Sequence, residues 1–124
     1  MSNIYGKGPK AKATKLHSLV VRARGRCERC GESDYSKLQC AHVISRRYSA
    51  TRTDERAAWC LCAACHLHLG LNPYDHVEFA TQTLGEELYA ELREKAMSNP
   101  RPWKPAMWQA EVDRLTALLA EVSA

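Results

Sequence analysis

Cys27-Glu-Arg-Cys30 and Cys62-Ala-Ala-Cys65 are two Cys-x-x-Cys motifs in one chain, and they decide how it folds. Each motif brings two thiolates close enough together to fill half of a tetrahedral zinc shell, so each needs the other. Residues 31–61 separate the motifs. Because a zinc ribbon needs fewer residues there, we expect a larger element to be inserted. The pattern predicts a structural zinc site with all four positions taken by thiolates, which leaves any chemistry to other residues.

Two other interpretations of the cysteines stay open: a redox-active dithiol, and unrelated pairs that pack as small hydrophobic side chains. The duplication itself, with Gly31 after the first motif, favours zinc. Cys40 and Cys60 are expected to pack in the interior beside their strands. Residues 1–15 lack the apolar core of a secretory signal, and no apolar run is long enough to span a bilayer. We therefore expect a cytoplasmic protein with reduced thiols and no membrane partner.

Hydrophobic periodicity predicts an α+β fold for this chain of 124 residues. Residues 1–10 are predicted to form a mobile basic tail and residues 11–124 a single domain, with its core at 26–75 and a helical part at 76–124. Short strands are predicted within 37–44 and at 58–61, joined by a surface loop at 45–56. Helices are predicted at 11–24, 65–71, 73–84 and 86–97, and a last one after a turn at 100–105.

The last predicted helix carries an apolar seam with spacings of three and four residues, formed by Trp108, Val112, Leu115, Leu119 and Val122. We expect this seam to pack against the rest of the domain. A homodimer seam is the alternative, so the oligomeric state, monomer or homodimer, stays open. The same seam would also suit a zinc scaffold for protein partners, which is one candidate function.

Three short stretches together resemble a known family: Cys27-Glu-Arg-Cys30-Gly31, then Ala41-His42-Val43-Ile44, then Cys62-Ala-Ala-Cys65-His66. In order and spacing they are similar to the zinc-containing HNH, or ββα-metal, endonucleases, and Arg52 and Asp54 are similar to phage recombination and restriction members. The resemblance covers residues 26–75. It implies a ββα-metal core with a four-cysteine zinc site, flanked here by an N-terminal helix and C-terminal helices.

The resemblance also implies an activity and its residues. His42 would be the general base that takes a proton from the water attacking a phosphodiester, and His66 would bind a catalytic Mg²⁺ or Mn²⁺ ion. Double-stranded DNA would be the partner, and a phage-encoded origin would fit. A neutral imidazole suits the role of base near pH 7.

Two positions depart from the family pattern. Ala57 stands where the family carries its Asn, and Ala41 stands where many members place an acidic metal ligand. A methyl group can neither form the hydrogen bonds of asparagine nor bind a metal ion. We therefore expect impaired activity, through an inactivating substitution or through divergence to a noncatalytic zinc-stabilised DNA-binding module. Secondary candidates to complete the metal shell are Asp54, His68 and His76. His17 has no such support and is expected to be structural.

The predicted 45–56 loop is rich in arginine, and guanidinium groups there would clamp phosphates on either side of a cut. The four candidates are Arg46, Arg47, Arg52 and Arg56, with Arg52 the best single choice by resemblance; a solvated basic loop is the alternative. Further lysines near the N-terminus are expected to add a nonspecific phosphate-binding arm: Lys7, Lys10, Lys12 and Lys15. The net charge of +4 is compatible with a polyanionic partner, and no base-reading element is evident.

Overall fold

The computed structural model describes residues 8–98 and 102–123. The central unit is an antiparallel two-stranded hairpin followed directly by a helix. Other helices precede and follow this unit in the sequence. The predicted α+β class is therefore confirmed. The elements are α1 (Pro9–Arg22), β1 (Leu38–His42), α2 (Ser49–Arg52), β2 (Ala58–Cys62), α3 (Ala63–Leu71), α4 (Pro73–Leu84), α5 (Glu86–Ser98) and α6 (Pro105–Val122), with 3₁₀ turns at Tyr35–Lys37 and Glu55–Ala57.

The hairpin places the chemistry-bearing residues of β1. Cys40 pairs with Cys60 across the two strands, and His42 pairs with Ala58. Because side chains alternate along a strand, Cys40 and His42 lie on the same face of the sheet. Every residue of β2 is buried, so β1 is the strand that presents polar side chains outward. Helix α1 contacts β1 and covers part of the sheet face that carries Cys40 and His42.

Helices α1 and α6 pack against each other through a hydrophobic cluster that contains Ala13, Val20, Trp108, Val112 and Leu115. The prediction that the last helix packs against the rest of the chain is thereby confirmed. The last residue of the predicted apolar seam is an exception, because Val122 is 45% exposed. Helix α1 also contacts both strands of the hairpin, so its side chains come close to those of β1.

The segment 45–56 is not the irregular surface loop that its polarity predicts. It forms α2 and the second 3₁₀ turn, and three of its polar residues, Thr51, Thr53 and Asp54, are buried. For two of them the reason is that their polar groups find partners inside the protein: Thr53 Oγ1 donates to Glu111, and the Asp54 carboxylate accepts from Arg56 and Lys95. A satisfied polar group can be buried at little cost.

Several predicted boundaries shift. The first helix begins at Pro9, within the predicted tail, because proline lacks the N–H that the first helical turn leaves unpaired anyway; residues 1–7 lie outside the described residues. It ends at Arg22, and β1 is shorter than predicted, at 38–42. Helix α3 starts two residues earlier than predicted, at Ala63, and ends at Leu71 as predicted.

The predicted turn at 100–105 is observed only in part, because residues 100 and 101 lie outside the described ranges and α6 already begins at Pro105. Across 8–98 and 102–123, we find no helix both long enough and apolar enough to cross a membrane.

Candidate functional site

The two Cys-x-x-Cys motifs meet in space. The sulfur atoms of Cys27, Cys30, Cys62 and Cys65 all lie within 4.8 Å of one another. Cys30 Sγ and Cys62 Sγ are 3.6 Å apart, close to the edge of about 3.8 Å that a tetrahedral zinc ion with four bonds to sulfur of about 2.3 Å requires. The donor set therefore fits a structural zinc ion, as the motif predicts.

Local backbone structure holds the cysteines in place. After the first motif the chain turns back, with Gly31 at φ +85° and its N–H donating to the Cys27 carbonyl at 2.9 Å; a positive φ of this kind favours glycine. Cys62 caps the N-terminus of α3, which sets Cys65 in its first turn. Arg29 Nη1 donates to Cys65 Sγ at 3.5 Å. This contact adds a positive charge beside the thiolates, which stabilises them.

A basic cleft of about 1230 Å³ opens between α1, β1 and the start of α3. Its walls carry four cationic side chains, Lys12, Lys15, Arg22 and Arg46. Within the described residues, no aspartate or glutamate lines it. The cleft is therefore suited to an anion such as a phosphate group. Both histidines of the HNH resemblance, His42 and His66, lie on its surface.

His42, at the end of β1, is held in one tautomer. Its Nε2 lies 2.9 Å from the Arg52 carbonyl oxygen. A carbonyl only accepts, so Nε2 carries the hydrogen and Nδ1 keeps a free lone pair. Burial lowers the pKa of His42, and the ring is therefore neutral near pH 7. In this state His42 can accept a proton or bind a metal ion.

His66, in the first turn of α3, is also oriented. Its Nδ1 donates to Gln39 Oε1 at 2.8 Å, which leaves the Nε2 lone pair free. Burial lowers its pKa as well. Mg²⁺ and Mn²⁺ prefer oxygen ligands, above all carboxylates. Since the described part of the chain brings no carboxylate to this cleft, the residues beside His66 do not fit such an ion.

The sequence predicts a merely structural role for His17, whereas the structure places it in the wall of the cleft beside His42. It is only 1% exposed, and its ring centroid lies 5.3 Å from that of His42. Its Nε2 donates to the Asp54 carbonyl at 3.3 Å, and its Nδ1 lies 3.7 Å from Cys40 Sγ. Burial and the neighbouring His42 lower its pKa to about 4. The sequence signal was its spacing from Ala13 and Val20, which places it on the buried face of α1.

Cys40 and Cys60 differ in their surroundings. Cys60 is fully buried, as predicted, whereas Cys40 is half-buried and lines the cleft. Burial raises the pKa of Cys40 to about 12 and also raises that of Cys60. Burial outweighs the nearby arginines, so both are neutral thiols when no metal ion is bound.

The secondary metal candidates lie away from the cleft. Asp54 is 4% exposed, and its carboxylate is occupied by two cations. His68 pairs with Asp75 at 2.7 Å on the surface. His76 donates from Nε2 to the Val43 carbonyl at 2.7 Å. Each therefore has a local structural partner, and none of the three is among the residues that line the cleft.

Of the four arginines predicted to contact phosphates, Arg46 alone lines the cleft. Arg52 donates to Thr14 Oγ1 and to the Arg46 carbonyl, so it ties α2 to α1. Arg56 pairs with Asp54, and Arg47 stacks on a tyrosine ring with its guanidinium carbon 5.1 Å from the centroid. Lys12 and Lys15 reach the cleft from α1, Lys10 lies over a tryptophan ring, and Lys7 falls outside the described residues.

The two positions that depart from the family pattern are both in the hydrophobic core. Ala57 is fully buried and its carbonyl accepts from the Val43 N–H at 2.9 Å, while Ala41 is 2% exposed. The site thus combines two histidines with free lone pairs and four cationic side chains on one cleft, an arrangement able to bind a phosphate and accept a proton. We compared the chain with models of protein families, with curated proteins and with solved structures, and none matches it.

Proposed function

We propose that this chain is a DNA endonuclease of the HNH type, with a structural four-cysteine zinc site and a weakened active site. The observation that carries the proposal is His42, whose Nε2 is held by a backbone carbonyl and whose Nδ1 lone pair is free, on the surface of a basic cleft. A phosphodiesterase needs a base of this kind next to groups that neutralise a phosphate.

The protein's own residues account for part of the reaction. Lys12, Lys15 and Arg46 hold the scissile phosphate by its oxygens, and His42 Nδ1 takes a proton from the attacking water. The new bond joins the water oxygen to phosphorus, and the bond to the leaving deoxyribose oxygen breaks, with solvent supplying the proton to that oxygen. Because no carboxylate of the described residues lines the cleft, no step is assigned to a catalytic Mg²⁺ or Mn²⁺ ion.

Weak turnover follows from the two alanines. Ala57 cannot supply the amide that the family uses in this loop, and Ala41 cannot supply a carboxylate beside His42. Both methyl groups are buried, so their replacement by polar residues costs stability unless hydrogen bonds form. The chain therefore retains the base and the phosphate-binding surface but lacks two of the groups expected to raise the rate.

Nicking of supercoiled plasmid tests the proposal. The unsubstituted chain, Ala57→Asn and the double variant Ala41→Asp/Ala57→Asn are compared in Mg²⁺ or Mn²⁺, with and without a chelator. We expect weak nicking by the unsubstituted chain, faster and metal-dependent nicking by the double variant because it supplies a carboxylate, and no nicking once His42→Ala is added to the most active version. His68→Ala is the matched control, because His68 is paired on the surface away from the cleft. Nicking that survives His42→Ala would contradict the assignment of the base.

A second candidate is a noncatalytic DNA-binding module, favoured by the absence of carboxylates among the described residues of the cleft. It predicts salt-dependent binding with no cleavage by any version in any divalent metal. Each phosphate contact contributes a slope of about −0.9 to a plot of log affinity against log salt, so Arg46→Ala is expected to reduce the slope by about 1. Arg93→Ala is the control, since Arg93 stacks on Tyr89 of α5.

A further inference from the structure

We propose that His17, Cys40 and His42 form a second metal site, for zinc or a similar divalent transition metal, in the wall of the basic cleft. One ring nitrogen of each histidine and the sulfur of Cys40 all lie within 4.8 Å of one another. The cluster shares no residue with the four-cysteine site. It is assembled from two elements far apart in sequence, α1 and β1.

The hydrogen bonds around the cluster are those of metal-binding histidines. Such histidines donate the N–H that does not face the metal to a carboxylate or a backbone carbonyl, which fixes the ring and exposes the other nitrogen. Both rings do this here: His17 Nε2 donates to the Asp54 carbonyl and His42 Nε2 to the Arg52 carbonyl. The two Nδ1 atoms therefore carry no hydrogen: the lone pair of His42 Nδ1 is free, and that of His17 Nδ1 faces Cys40 Sγ.

The spacing also suits a tetrahedral ion. His17 Nδ1 and Cys40 Sγ are 3.7 Å apart. Zinc with bonds of about 2.05 Å to nitrogen and about 2.3 Å to sulfur separates these two ligands by about 3.6 Å. The ion would therefore fit between the two atoms with little movement of either side chain.

The chemistry of the donors selects the metal. Two imidazoles and one thiolate suit zinc, cobalt or copper, whereas magnesium and calcium require oxygen ligands. On binding, the sulfur of Cys40 forms a bond to the ion, its S–H bond breaks, and the proton passes to solvent. Three protein ligands leave a fourth position for water or an anion, and the cations of Lys12 and Lys15 on the cleft wall favour an anion there.

Occupancy of this site has a consequence for catalysis, and this consequence alone rests on the proposed function. A zinc ion on His42 Nδ1 takes the lone pair that the general base needs. His42 can therefore act either as base or as zinc ligand, and zinc is expected to inhibit cleavage by competing for that one atom.

Cobalt binding tests the site without any need for activity. The chain, reduced with a phosphine and loaded with one equivalent of zinc at the four-cysteine site, is titrated with Co²⁺ while displaced zinc is monitored with a chromogenic chelator. We expect one further equivalent to bind, with thiolate-to-cobalt absorption and release of one proton. Cys40→Ala and His17→Gln are expected to weaken this binding by more than about 100-fold. Cys60→Ala is the matched control, because Cys60 faces Cys40 across the hairpin and belongs to neither cluster.

Circular dichroism and zinc content establish whether each variant is folded. Because the stoichiometry and the proton release are measured on the unsubstituted chain, the test does not depend on the variants. Failure of the unsubstituted chain to bind a second equivalent would overturn the proposal, as would full binding by folded Cys40→Ala and His17→Gln. Cobalt binding in a chain that never nicks DNA would support this site and count against the nuclease, whereas nicking without a second cobalt site would do the reverse.

Discussion

Asp54 is the buried acid on which the segment between the strands depends, and Asp54→Asn tests this dependence. The carboxylate is 4% exposed and accepts from the Arg56 backbone N–H, from the Arg56 guanidinium and from Lys95 Nζ of α5. Asparagine keeps the shape and still accepts the backbone N–H, so the substitution removes mainly the charge. The substitution therefore tests the contribution of the ion pairs to stability while the hydrogen bond that caps the 3₁₀ turn is kept.

The expected loss of stability is about 2–3 kcal/mol. Removing one partner of a buried ion pair costs about 3–5 kcal/mol. The cost is lower here because the side chains of Arg56 and Lys95 are 51% and 45% exposed and regain water when the pair is broken. For a chain of this size the melting temperature should fall by about 8–12 °C. Urea unfolding followed by circular dichroism measures the free energy, and a thermal scan measures the melting temperature.

Asp34→Asn is the matched control. Asp34 caps the first 3₁₀ turn through the Ser36 N–H, just as Asp54 caps the second, but it is exposed. Surface substitutions of this kind change stability by less than about 0.5 kcal/mol. If Asp54→Asn destabilised the protein no more than Asp34→Asn does, the argument from the buried ion pairs would be wrong.

The effect also has a defined pH dependence. Burial raises the pKa of the Asp54 carboxyl, but the hydrogen bonds and charges of Arg56 and Lys95 outweigh it and hold this pKa well below its usual range. A carboxyl whose pKa is lower in the folded state stabilises the protein above the unfolded pKa of about 3.9, and this stability is lost as the pH falls. The difference in free energy of unfolding between the unsubstituted chain and Asp54→Asn should therefore be full at pH 5 and shrink below pH 4.

Three further outcomes are expected. Cys62→Ser should unfold the hairpin and abolish tight zinc binding, because an incomplete shell cannot hold the two motifs together; a zinc-free Cys62→Ser that keeps its circular dichroism spectrum would refute the structural role. Leu115→Ala, at a fully buried position between α1 and α6, should cost about 2–5 kcal/mol in urea unfolding. Arg114→Ala removes bonds to Glu55, Glu111 and the Thr53 carbonyl, and since Arg114 is half-exposed we expect a loss of only about 1–2 kcal/mol.

The fold could be predicted from the sequence where local rules apply. The duplicated Cys-x-x-Cys motif predicts that the four cysteines come together, because paired thiolates at that spacing are typical of zinc sites. Hydrophobic periodicity predicts the helices after residue 63 to within a few residues. The segment 45–56 departs from its prediction at Thr51, Thr53 and Asp54, because a polar side chain need not be exposed. Its polar groups are buried by partners in α5 and α6, Lys95 and Glu111, which no local pattern specifies.

The candidate site, too, follows in part from local sequence patterns and in part from long-range contacts. The resemblance predicted His42 and His66, and the structure places both on one cleft, while their roles in catalysis stay predictions. His17 was overlooked because a lone histidine on an apolar helix face is usually a packed side chain. Its closeness to Cys40 and His42 depends on how α1 packs on β1, which is a long-range contact. Arg52 and Arg56 remain predicted phosphate ligands, although both already have partners within the protein.

The stability of the 45–57 segment and the chemistry of the cleft are coupled through two backbone carbonyls. The carbonyl of Arg52 orients His42, and that of Asp54 orients His17. The segment that carries them is anchored by Asp54 to α5 and by Thr53 to α6. Helices outside the region of HNH resemblance therefore help to position the two carbonyls that set the tautomers of both histidines. It follows that Asp54→Asn should weaken cobalt binding at the second site while leaving the zinc of the four-cysteine site in place, because the turn at Gly31 and the start of α3 hold the cysteines through their own backbone bonds.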